Sequence, residues 1–215
     1  MEYDSCSDSN AQQQSPELYY VKRTVEHISD ATSADGLRVY VFGTYTDLTA
    51  ATKAAASLSF GCVGDTFGNL DSRQEYPGEE WWPCRDRVIS RARSASDEAL
   101  TISIETEPNI AQMVGDAYGQ VHGPFCHVVE YVVQHSEDGS SCKRKAVIRG
   151  TFRTKKAARN CAGHVLLHGN AGRKGFDRLD VYEEMDESPY GSDVVVHAVT
   201  SNGTDFLVYL MEHNG

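Results

Sequence analysis

The sequence predicts an α+β fold made of two copies of one β-β-α-β-β unit. Three observations carry this. Alternating, β-branched segments come in adjacent pairs separated by turn residues. One small-residue segment with helical spacing lies between the pairs of each half. The second half also repeats the first at an offset of 107 residues.

The first pair is LYYVKRTVEHI from Leu18 to Ile28 and LRVYVFGTY from Leu37 to Tyr45. In the second segment Leu37, Val39 and Val41 fall on one face and Arg38, Tyr40 and Phe42 on the other, the period of two of a strand. Asp35-Gly36 ends the polar stretch between them and supplies a turn. A helix follows. Thr46 or Asp47 can cap it, Leu48, Ala51, Ala55 and Leu58 form its apolar stripe, and Gly61 ends it. Residues 61–85 read as loop and contain Trp81-Trp82. RDRVISRARS and ALTISIETE then form a second hairpin turning at Ala95–Glu98.

The second half runs in the same order. HVVEYVVQH and KRKAVIRGTF form a pair, TKKAARNCAGHVLLH reads as a helix, and DVVVHAVTS and DFLVYLMEH are joined through Asn202-Gly203. Asn-Gly is the strongest short hairpin signal. The helix stripe is expected to be the Lys155 stem, Ala158, Ala162 and Val165.

At the 107-residue shift, Gly43-Thr44-Tyr45 falls on Gly150-Thr151-Phe152, Ala50-Ala51 on Ala157-Ala158, Leu100 on Leu207 and Glu105 on Glu212. The match runs ungapped from the second strand onward. His27 and His135 differ by 108, which places a one-residue change in the first hairpin turn. Each unit should therefore be a four-stranded antiparallel sheet with one helix on a face, the two packed with pseudo-two-fold symmetry. The expected organisation is a disordered tail over 1–17, the first unit over 18–106, a linker over 107–125 and the second unit over 126–215.

The formal net charge is −11. That argues against a general nucleic-acid binder, which needs an excess of Lys and Arg. No apolar run is long enough to cross a membrane, and the acidic N-terminal residues lack the pattern of a secretory signal. Six cysteines without such a signal fit free thiols in the cytoplasm or nucleus.

Several residue sets could carry a function. A basic group comprises Lys143, Arg144, Lys145, Arg149, Arg153, Lys155, Lys156 and Arg159. It could meet an acidic partner, or form a solvated face. Arg85, Arg87, Arg91 and Arg93 share a strand face by period, beside Glu105 and Glu107 on the neighbouring strand. Cross-strand ion pairs are the plain account, and anion recognition the sharper one. Trp81 and Trp82 fill a pocket or cap a small core. His27 and His135 match between the halves and are candidates for a pocket between the units. Cys161, His164 and His168 have ligand chemistry at helical spacing, but two of them flank or leave the core stripe, so no metal is expected. No cofactor motif is present.

These readings favour a non-enzymatic binding or scaffolding protein with a protein partner. The alternative is a small-molecule binding protein or enzyme with its site between the units. A nucleic-acid-associated protein using the basic patch is the lesser alternative.

Overall fold

A computed structural model describes residues 16–27, 36–62, 69–71, 87–94, 97–136, 141–167, 175–183 and 188–214. The expected tail over 1–15, the tryptophan pair, Arg85 and His168 lie outside the described residues.

The first half runs β1 (Glu17–His27), β2 (Leu37–Tyr45), α1 (Leu48–Cys62), β3 (Asn69–Asp71), β4 (Arg87–Arg93) and β5 (Glu98–Pro108). The second runs β6 (Phe125–His135), β7 (Cys142–Phe152), α2 (Lys155–Val165), β8 (Arg178–Val181), β9 (Val194–Val199) and β10 (Asp205–His213). All strand pairs are antiparallel, in sheets ordered β2-β1-β5-β4-β3 and β7-β6-β10-β9-β8.

Each sheet has five strands, where four were expected. The additional strands, β3 and β8, span three and four residues and pair with the outer edges of β4 and β9. They cover backbone edges that would otherwise be unpaired. Segments this short carry no alternation to read.

Each helix packs on one face of its own sheet. Asp47 caps α1 by accepting a bond from the Ala50 amide at 2.8 Å, and Thr154 caps α2 at the Ala157 amide. Ala51 and Ala55 of α1, and Ala158 and Ala162 of α2, are fully buried. Their lack of side-chain bulk lets the helix axis approach the sheet. Leu48 and Leu58 flank the first pair and Val165 the second, as the stripes predicted, with Cys161 beside them, but Lys155, expected in the second stripe, is exposed and paired with Glu212.

The faces turned away from the helices meet, so the layers run α-β-β-α. Leu18, Tyr20 and Val41 of the first sheet pack with Phe125 and Ile148 of the second, joined by Met113 and Val121 of the connecting segment. Leu37 and Val39 pack against the cluster of Val129, Tyr131, Val133 and Ala146. Polar groups fasten this seam. Lys22 Nζ donates to Glu105 Oε2 at 2.7 Å and to the Ala146 carbonyl at 2.8 Å, and the Ile148 amide donates to Glu105 Oε1 at 2.7 Å. Thr151 Oγ1 donates to the Tyr20 hydroxyl and lies 2.7 Å from His127 Nδ1.

Strand registers correct the expected alignment of the halves. Val21 lies opposite Gly43 and Val128 opposite Gly150, with a bulge following in both pairs, at the shift of 107. Ser103 lies opposite Val88, whereas Tyr209 lies opposite Val194, at a shift of 106. The one-residue change therefore falls after the helix and not in the first hairpin turn. Leu100, on the helix side of its sheet, takes the place of Phe206; Leu207 faces the other way. His27 takes the place of Gln134, so the two histidines are not counterparts.

The bulges also explain a departure in β4. One residue, Ile89, is inserted between Val88 and Ser90 relative to β5. Arg91 and Arg93 pair with Thr101 and Ala99 on one face, while Arg87 pairs with Ile104 on the other. The expected common arginine face is broken. Glu105 pairs with no arginine of β4 there; it is buried against Lys22.

Candidate functional site

The second sheet is not wholly covered by the first. On its seam face, β6 presents Tyr131 and Val133, and β10 presents Asp205, Leu207 and Tyr209, by the period of two. His197 of β9 pairs directly with Leu207 and therefore points the same way. The bulge at Val195 matters here. It sends both Val195 and Val196 to the helix-side core, so that Val194 and His197 both face the seam side.

A turn over 188–194 folds beside this face. Gly191 has φ +117°, a conformation that disfavours a side chain, and its amide bonds the Ser188 carbonyl. The turn sets the Tyr190 ring 4.3 Å from the His197 ring. Leu37, the first residue of β2, closes the side toward the first unit. The result is a cleft of about 650 Å³, within the range of small-molecule sites.

The polar end of the cleft is built around His197, which is only 4% exposed. Its Nε2 lies 2.7 Å from Asp205 Oδ1. A carboxylate oxygen accepts, so Nε2 carries the proton and the imidazole orientation is set. Nδ1 then presents a lone pair, and it has no hydrogen-bond partner among the described residues. Asp180 Oδ2 stands 3.8 Å from it, too far to share a bond, and takes a bond from Arg178 Nε at 2.6 Å. Nδ1 is itself closed to solvent and lies toward Asp180 of β8, so the cleft meets the face of the ring and not this nitrogen.

The remaining lining is aromatic and apolar. Burial pushes the Tyr131 and Tyr209 phenols up to about 12, so both remain neutral donors at physiological pH. Leu37, Val133 and Leu207 supply aliphatic surface. Asp193 and Asp205 are the charged residues of the lining, and no Lys or Arg is among them.

The residues singled out from sequence lie elsewhere. His27 Nε2 sits 3.1 Å from Glu98 Oε1 at the end of β1, and His135 is exposed at the end of β6; neither lines the cleft. Arg91 and Arg93 are exposed on β4, and Arg93 pairs with Asp97. Much of the basic group is committed within the chain. Arg144 reaches Glu26, Arg149 pairs with Glu130 at 2.6 Å, Lys155 pairs with Glu212 at 2.7 Å, and Arg159 donates to the Tyr182 carbonyl. Lys143, Arg153 and Lys156 are exposed, and Lys145 is half-buried. Cys161 packs into the α2 core, and exposed His164 bonds the Asn160 carbonyl. Among the described residues no group of three His, Cys, Asp or Glu side chains could hold a metal ion.

His197, Asp205, Tyr131 and Tyr209 went unremarked in the sequence. The signal was a His and an Asp flanking one hairpin turn, which brings them together only in the right register. No known family matches the chain, and neither the curated proteins nor the solved structures contain a similar one.

Proposed function

We propose that the protein binds a small molecule in the cleft between the start of β2 and the uncovered part of the second sheet. The observation that carries this is a ligand-sized space walled by three tyrosines and by His197, a buried ring fixed through Nε2 by Asp205. The reading is tested by methyl and imidazole NMR with a library of small amphipathic fragments. Binders should shift Val133, Leu207 and His197 together. Fragments that bind only elsewhere, or none at all, would overturn it.

A second reading is favoured by the same Asp205–His197 bond. An imidazole oriented by a carboxylate is the pairing from which a general base is built. Under this reading the cleft turns over its ligand, and His197→Gln abolishes turnover while retaining binding. The scaffolding reading narrows to the exposed cations Lys143, Arg153 and Lys156, because the remaining basic residues largely have partners within the chain.

We also propose that the two units descend from one ancestral unit and are related by a pseudo-two-fold axis. Identical strand orders and bulges at corresponding places support this.

A further inference from the structure

We infer that the ligand of this cleft is an amphipathic organic cation, a primary amine or ammonium group carried on an aromatic or aliphatic body. The inference rests on the ligand-cleft reading above and gives that ligand its chemical class.

The polar end offers acceptors. Asp205 offers its second carboxylate oxygen, which takes no bond from a described residue, and Asp193 stands on the same lining. The Asp205 side chain is 41% exposed, so the carboxylate borders both the imidazole and the open space. An ammonium head group satisfies this carboxylate, whereas an anionic head group would face it with like charge.

Charge runs the same way. The lining has Asp193 and Asp205 and neither Lys nor Arg. The cations that approach it are already paired: Arg178 with Asp180, and Arg144 with Glu26. Nothing on the wall would neutralise a bound carboxylate or phosphate. The whole chain, at −11, adds a field that draws cations.

The walls complete the match. Tyr190, Tyr131 and Tyr209 present aromatic rings, and an ammonium is attracted to such faces. Leu37, Val133 and Leu207 suit the apolar body of the ligand. A small inorganic cation would leave that surface empty.

Three probes that share one body separate the possibilities: phenethylamine, 2-phenylethanol and phenylacetate, titrated into the full chain by NMR. The amine should shift His197 and Tyr190 and bind about tenfold more tightly than the alcohol, with the carboxylate weakest. Asp205→Asn should bring amine and alcohol within about twofold of each other. Should that variant not fold, raising salt on the native chain from about 20 to about 300 mM should weaken the amine and leave the alcohol unchanged. Alcohol or carboxylate binding in the cleft as tightly as the amine would overturn the cation assignment and leave the ligand cleft standing. If none of the three perturbs the cleft at about 10 mM, a concentration at which even a weak fragment registers, both readings fall.

Discussion

Lys22 and Glu105 form an ion pair across β1 and β5 at 2.7 Å, and each also bonds the backbone of β7 in the other unit. Both side chains are 3% exposed. Breaking such a pair from one side leaves a buried charge without its partner. Lys22→Met should therefore cost about 3–5 kcal/mol, measured by urea denaturation. The double variant Lys22→Met/Glu105→Leu should recover part of that loss, though not all, because the Ile148 amide and Ala146 carbonyl lose their partners. A single variant as stable as the native chain would mean that the seam does not depend on this clasp.

His127 makes stability depend on pH. Burial holds its imidazole down to about 4 from an ordinary 6.5. The unfolded chain therefore binds this proton before the folded chain does. The stabilising difference is fully present above pH 6.5 and is lost as pH falls toward 4. The full difference is on the order of 3 kcal/mol. Unfolding free energies across this window should fall in the native chain and fall less in His127→Gln. Equal slopes would show that another group carries the acid sensitivity.

Arg149 and Glu130 occupy the places that Phe42 and Arg23 hold in the first unit, at the shift of 107 and beside the same bulge. In the first unit the Arg23 guanidinium lies 4.7 Å from the Phe42 ring centre and 4.6 Å from that of Tyr40. In the second, Arg149 Nε sits 2.6 Å from the Glu130 carboxylate. Glu130 is buried while Arg149 is partly exposed. Arg149→Ala should thus cost about 1–3 kcal/mol. Transplanting the first-unit solution, Glu130→Arg with Arg149→Phe, should be less damaging than Arg149→Ala alone. Thermal denaturation of the two variants decides this.

Gly203 has φ +77° in the β9–β10 turn, with no atom within 4 Å of where a Cβ would stand. The cost of Gly203→Ala is then purely conformational, about 1 kcal/mol. Gly203→Asn should cost less, since Asn tolerates this region. A larger loss for alanine, read by urea denaturation, would mean that the register of the hairpin had changed.

The stability of that turn bears on the site as well. Asn202-Gly203 marks a hairpin in sequence, but the observed loop closes with the Thr200 amide on the Thr204 carbonyl, leaving three residues between. With a two-residue loop His197 would pair with Val208 and share the helix-side core. The observed loop pairs it with Leu207 instead. One residue of register separates a core histidine from a cleft histidine.

The sequence by itself determined the order of the principal elements, the two helix stripes and the pairing of strands into hairpins. Those follow from local periodicity, from caps such as Asp47 and Thr154, and from turn residues, and each acts within a few positions of the chain. Only the tertiary structure decided the short edge strands, the places of the bulges and the face each side chain takes beyond them. A bulge reverses facing without leaving a sequence mark, which is why Arg87 parted from Arg91; the constant shift failed because the one-residue change lies after the helix, and the histidine match because the first hairpin carries none. The seam was equally illegible. Glu105 read as a partner of the β4 arginines until it met Lys22 at the seam, and Arg144 read as part of a basic patch until it reached Glu26. The cleft arises where that closure stops, at Leu37, and leaves His197 buried beside open space. It depends on how far one sheet extends past the other, a relation between residues more than a hundred positions apart that no local pattern encodes.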